Sequence, residues 1–298
     1  MADVDLSFPR YVAARKGAAS ARAREGAHYA YGADLKIRSA LEKVRPVSLS
    51  VEATLRFWQS VGKNRFLGSA VRVSERQFPK IHALVQRCAE VLQVPAPTVY
   101  VAPQIVSLTV STLGTADDAM IALGSPMVDH LTENELLFVI GRECGHIQNG
   151  HTVYLTALHY VTTAANMIIR FASQPAALAL NSWSRRAEVT ADRAGLLCVR
   201  DLDVATAAMV KMSVGSQRLF SNIDVSDYIQ QLDEAQSGRG RFHELFATVP
   251  YLPKRVQALR LFAQTTYFRS VINAVGDQPG LSKEECDAQV ADLLAVFR

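Results

Sequence analysis

Cysteine is scarce in this chain, and charge is missing from one long stretch of it. The four cysteines, at 88, 144, 198 and 286, form no close pair and no finger-type spacing. That excludes a disulfide scaffold and a cysteine-built zinc finger, and points to reduced thiols in a cytosol-like compartment. The opening MADVDLSFPRYVAARKG lacks an apolar core of signal-peptide length, so no secretory leader is expected. Charged residues are only 20% and apolar ones 49% of 298, a balance that excludes disorder, collagen and an extended coiled coil. Internal repeats and long low-complexity linkers are absent too. What remains is a folded globular protein of one large domain or two modest ones.

From 144 to 184 the only Asp, Glu, Lys or Arg is Arg170, and residues 152–169 contain none. Eighteen such residues could cross a bilayer. His159, Asn166 and the threonines at 152, 156, 162 and 163 dilute the apolarity, so a buried or interfacial helix is expected instead. Elsewhere the charge is uneven. Residues 1–46 hold nine Lys/Arg against five Asp/Glu, which is the whole net charge of +4. Arg10, Arg15, Lys16, Arg22 and Arg24 come with no acid between them. The ordinary reading is a solvated basic arm; the alternative is an arm that docks on an acidic partner or anionic lipid. No aromatic interleaving or binding motif accompanies it, so nucleic acid is not an expected partner.

Residues 50–93 read as mainly helical, with Leu84, Val85, Cys88, Val91 and Leu92 along one face. VPAPTVYVAP, IVSLTV and AMIALGS read as strands of a small sheet. Thr132 with Glu135 forms a capping box ahead of the apolar run Leu136 to Ile140, so a helix should start at about residue 133. Further helices are expected near 183–200 and 203–219, a loop at SGRGR (237–241), and a C-terminal amphipathic helix behind the capping box of Ser282 and Glu285.

The chemistry-bearing segment is Arg142-Glu143-Cys144-Gly145-His146 on the helix that starts near 133. Positions 142 and 146 share a helical face, the spacing by which two histidines clasp one zinc ion, but the first is arginine. Glu188 and Asp192 repeat the i, i+4 spacing on a second helix, where a glutamate could complete a His/His/Glu site.

In RECGHIQNGH followed by WSRRAEVTADRAG, the chain resembles the zinc metallopeptidases that include the CaaX prenyl-protein endopeptidase and the bacterial heat-shock protease HtpX, whose pattern is HExxH with NGH and then ExxAD. The likeness runs from about residue 49 to 265. It implies an α+β, mainly α-helical, zincin-like fold with a small sheet, zinc as cofactor and peptide hydrolysis. By resemblance, His146 and Glu188 are metal-ligand positions, Glu143 is the general base, and Asp192 orients a ligand. The division expected is a basic arm at 1–48, a metallopeptidase-like domain at 49–265 and a C-terminal helical extension at 266–298.

Two departures from the pattern stand out. Arg142 replaces the first histidine ligand, and Val249 stands in ATVPYLPKR where the family often has a histidine, with His243 nearby in sequence. Arginine offers a metal no lone pair. At about 5 Å its charge would repel Zn²⁺ by roughly 7 kcal/mol at an effective dielectric near 20. The same cation could pair with Glu188, Glu143 or Asp192 in place of the metal. Cys144 should point away from the ligand face, and His151 falls about 140° off it if the helix continues at about 100° per residue; His130 and His159 are remote candidates. Three functions follow: an inactive peptidase homologue with absent or weakly bound zinc that binds or regulates a polypeptide partner; an active zinc endopeptidase with an altered ligand set; or a membrane-surface scaffold. The expected location is cytoplasmic, with membrane association open.

Overall fold

The computed structural model describes residues 27–41, 47, 51, 64, 67–103, 110–114, 118–163, 174–215, 217–220, 222–224, 227–228, 247–273 and 280–295. The described chain is mainly helical with one four-stranded sheet, an α+β fold. Its elements are α1 (Gly32–Leu41), β1 (Val71–Arg72), α2 (Pro79–Leu92), β2 (Thr98–Ala102), β3 (Val110–Gly114), β4 (Ala119–Gly124), α3 (Ser125–His130), α4 (Glu133–Gln148), α5 (Thr152–Thr163), α6 (Gln174–Val199), α7 (Leu202–Val214), α8 (Gln217–Phe220), α9 (Leu252–Ala263), α10 (Thr266–Val271) and α11 (Lys283–Leu294).

The sheet runs in the order β1-β2-β4-β3, with β2 parallel to β4 and the other two pairings antiparallel. The chain therefore leaves β2, makes β3 and returns to insert β4 between them. β3 is left as an edge strand beside α4 and α5.

The centre of the molecule is the packing of α4 on α6. From Glu135 to His146 every residue of α4 is buried, so this helix has no wet face. Small residues bring the two axes close. A Cβ on Gly145 would lie 2.4 Å from the Ala194 Cβ, and one on Gly195 would lie 2.7 Å from Phe138. Both contacts are forbidden, so only glycine fits there, and that proximity sets Arg142 and His146 against Glu188 and Asp192. Leu137, Phe138, Ile140 and Leu196, all fully buried, fill the same layer, each contributing about 1.5–3 kcal/mol by leaving water. The α4 start is fastened as its sequence requires: the Glu135 N–H donates to Thr132 Oγ1 at 3.3 Å and the Thr132 N–H to Glu135 Oε2 at 2.8 Å.

Several expectations are adjusted. Within 50–93 lies a strand, β1, ahead of the helix α2. Of IVSLTV only Val110 is described, and the strand runs on to Gly114, with Gly114 facing α5. The helix expected at 183–200 begins earlier, at Gln174, and the one expected at 203–219 stops at Val214, where Gly215 takes a left-handed conformation (φ 69°). The reading of residues 1–46 as a solvated arm fails from Tyr29 onward. Tyr29, Ala30, Tyr31, Asp34 and Leu41 are buried: Tyr29 bonds Gln148 and Asn149 at the end of α4, Asp34 bonds Trp183 and Thr190 of α6, and Leu41 packs with Ala157, Leu158 and Leu180 of α5 and α6. Residues 1–26 and the SGRGR loop lie outside the described residues. The second capping box opens α11 at Ser282, and α11 packs on α9 and α1. Among the described residues no helix is long and apolar enough to cross a membrane.

Candidate functional site

Two helices supply the site. One face of α4 carries Arg142, Glu143 and His146, and the facing surface of α6 carries Glu188 and Asp192; all are buried. Arg142 bridges the helices. Its Nε donates to Asp192 Oδ1 at 2.7 Å, its Nη2 donates to Glu188 Oε2, and its Nη1 lies 3.8 Å from Glu143 Oε1. Burial works against the Arg142 charge, but Glu188, Asp192 and Glu143 outweigh it and push the guanidinium pKa up.

A second guanidinium reaches the same acids from α9. Arg255 Nε donates to Asp192 Oδ2 at 2.9 Å and its Nη2 to Asp192 Oδ1 at 2.7 Å, with Glu188 Oε2 at 3.3 Å. Asp192 is thus forked by two arginines. Burial opposes its ionisation, yet Arg255 and Arg142 hold its carboxyl below the usual carboxylate range.

Glu143 has a different environment. Thr112 on β3 donates its hydroxyl proton to Glu143 Oε2 at 2.7 Å. Burial dominates and pushes its pKa up to about 7, against the pull of Arg142. Near neutral pH this carboxyl is therefore shared between its two protonation states.

His146 faces Glu188 through Nε2, 3.7 Å from Oε1, and turns its other nitrogen to the opposite side, where Nδ1 lies 2.9 Å from His151 Nδ1. Burial, followed by His151, Arg142 and Arg255, pushes its pKa well below the ordinary histidine value, so it is neutral. His151 Nε2 lies 3.0 Å from Asp34 Oδ2. The helical extrapolation that sent His151 off the face fails because α4 ends at Gln148. Asn149 closes it, Gly150 turns with φ 69°, and the chain folds His151 back toward His146.

The other candidates fall elsewhere. Cys144 is buried away from the site, its thiol beside that of Cys88, which Cys144 and Cys198 push up further than burial does. His130 ends α3, His159 lies on α5, and His243 is outside the described residues. Val249 is 38% exposed. The segment around it serves the site through Arg255 instead. Arg255, Thr112, His151 and Asp34 are the site residues that spacing alone did not single out. For His151 a signal existed in Asn149-Gly150, a helix-ending pair; for Arg255 and Asp34 there was none, since nothing local marks a distant ion pair.

Whether these residues suit zinc can be judged from the donor set. A catalytic zinc takes three protein ligands. Here His146 Nε2 and Glu188 Oε1 are the available donors, and the third position holds a guanidinium already bonded to Glu188 and Asp192. Among the described residues no group of three or more His, Cys, Asp or Glu is arranged to hold a metal. The residues present do not fit a three-ligand zinc centre.

The sequence model of peptidase family M48 matches residues 75–263. The chain is 29% identical over 168 residues to the plastoglobule-localized metallopeptidase 48, chloroplastic, of Arabidopsis thaliana, covering 55% of this chain and 49% of that protein. It is 32% identical over 101 residues to a protease HtpX homolog of Moorella thermoacetica (34% of each chain). A protease HtpX homolog of Salinibacter ruber is 25% identical over 228 residues, covering 70% of this chain and 83% of that one. The chain thus spans about half of the first relative and a third of the second. No solved structure matches it.

Proposed function

The chain belongs to peptidase family M48, and from that premise we propose that it is a catalytically inactive peptidase homologue that binds or regulates a polypeptide partner with little or no zinc. The observation that carries this reading is the placement of Arg142: its guanidinium bonds Glu188 and Asp192, and Arg255 covers the same two acids. Two fixed cations neutralise two carboxylates that would otherwise call for a metal, and a Zn²⁺ added there would meet their repulsion. Arginine cannot shed its proton to make room.

A polypeptide would be received along β3. Gly114 turns its N–H and C=O to the Thr156 hydroxyl on α5, at 3.0 and 3.2 Å. Backbone groups two residues apart in a strand face the same way, so those of Thr112 and Val110 are directed to the side of β3 away from β4, and Thr112 also bonds Glu143. Pairing of an extended chain with such an edge needs no metal.

The test is metal content by elemental mass spectrometry on untagged protein purified without chelator, wild type beside Arg142→His. The expected result is an empty wild type and near one-to-one zinc in the variant. Stoichiometric zinc in wild type, with peptide hydrolysis abolished by Glu143→Gln, would instead establish the second reading, an active endopeptidase with an altered ligand set. That alternative draws support from Glu143, whose pKa of about 7 is the value a general base needs near neutral pH. The reduced cysteines support a cytoplasmic location. Peripheral membrane contact through the basic residues before 27 is the remaining reading, tested by flotation with anionic liposomes.

A further inference from the structure

Arg142 is only 4% exposed, yet the fold does not use all of its guanidinium. Nε donates to Asp192 and Nη2 to Glu188. Among the described residues Nη1 donates to no acceptor, and at 3.8 Å from Glu143 Oε1 it is beyond hydrogen-bond length. We propose that Arg142 Nη1 receives a main-chain carbonyl oxygen of an intact, extended polypeptide lying on β3, and that the site disfavours carboxylates, including the free end of a cleaved chain. This rests on the polypeptide-binding reading above and names the group that the centre of the site recognises.

The position of Nη1 supports a main-chain acceptor. Buried donors in proteins are matched with acceptors, and a guanidinium has donors only. Thr112 on β3 bonds Glu143 Oε2 at 2.7 Å, and the other oxygen of the same carboxyl is the one 3.8 Å from Nη1. A single carboxyl group therefore separates the edge strand from the unused donor. An extended chain that pairs with one strand leaves every second carbonyl directed away from that strand. Such a chain brings unmatched carbonyl oxygens to the neighbourhood of Nη1.

The charges in the site decide between a carbonyl and a carboxylate. Arg142 and Arg255 are two cations, and Glu188 and Asp192 already match them. Arg185, one turn before Glu188 on α6, donates to the Ala247 carbonyl at 2.8 Å. Glu143 is a third acid. No positive charge is left over for an anion, and a carboxylate on Nη1 would also be set against Glu143, a like-charge contact that lowers affinity. A carbonyl oxygen gains the hydrogen bond without that repulsion.

The test is NMR of full-length, ¹³C,¹⁵N-labelled protein near neutral pH, with the Arg142 guanidinium assigned through bonds from its own backbone amide. Two probes are titrated: N-acetyl-trialanine methylamide, which is uncharged, and N-acetyl-trialanine, which ends in a free carboxylate. The uncharged probe should shift the Arg142 guanidinium signals together with the backbone amides of Val110 and Thr112. The carboxylate probe should bind at least about tenfold more weakly, since like-charge contacts cost several times the free energy of one such factor. Movement of the β3 amides with Arg142 unchanged overturns the proposal and leaves polypeptide binding standing. Equal or tighter binding of the carboxylate probe overturns it in the same way. If neither probe moves β3 or Arg142, polypeptide binding falls and this contact with it.

Discussion

The front and the back of the site are built on opposite principles, although both meet at His146 and Glu188. The front is a cluster of full charges, with Arg142 and Arg255 against Glu188 and Asp192. The back is a row of buried polar contacts, with Asp34 held by Trp183 and Thr190 and His151 standing between Asp34 and His146. Charges in a cluster tolerate small shifts because Coulomb attraction is long-ranged. A hydrogen-bond chain does not, because each link needs one donor and one acceptor. The front should therefore tolerate small shifts that keep its charges in place, while the back is sensitive to the loss of a single donor or acceptor.

The comparison is broken most severely by Arg142→Ala. It leaves Glu188 and Asp192 buried on Arg255 alone, and loss of one partner of a buried ion pair costs about 3–5 kcal/mol. The midpoint of urea unfolding should fall accordingly; an unchanged or higher midpoint would mean that the pair contributes nothing.

A smaller effect comes from Glu143. Its folded pKa of about 7 lies above the unfolded value of about 4.3. The folded state therefore binds the extra proton, and the stabilisation is complete below about pH 4 and lost as pH rises through about 7. It amounts to up to about 4 kcal/mol. Glu143→Gln, scanned by thermal melting from pH 5 to 8, should flatten this decline. Asp192 runs in the opposite sense: its pKa is depressed, so its contribution holds above the unfolded value and is lost as pH falls through the folded one. A decline below pH 4 should therefore survive in Glu143→Gln and weaken in Arg255→Ala.

The smallest expected effect probes the back. Thr190→Val keeps the shape but removes the hydroxyl between Tyr31 and Asp34, a loss of about 1–2 kcal/mol. A cost above that of Arg142→Ala would reverse the ranking of front and back.

Much of this was legible along the chain. The capping boxes at Thr132 and Ser282 are local, and each places a helix start to the residue. The i, i+4 spacing of Arg142 with His146 and of Glu188 with Asp192 needs only a helix to put each pair on one face. His151 was lost because a helical wheel assumes the helix continues, and Asn149-Gly150 ends it. Thr112, Arg255 and Asp34 were lost because each reaches the site from an element distant in sequence.

By itself, then, the sequence determined the two capped helix starts, the two motif faces and a permanent cation at position 142, since all of these follow from local spacing and side-chain chemistry. Only the tertiary structure decided which acids that cation meets, that Arg255 shares them, and that an N-terminal carboxylate stands behind His146. The close approach of α4 and α6 at Gly145 and Gly195 is the reason. Ion pairs and hydrogen bonds act over a few ångströms of space, whatever the distance along the chain.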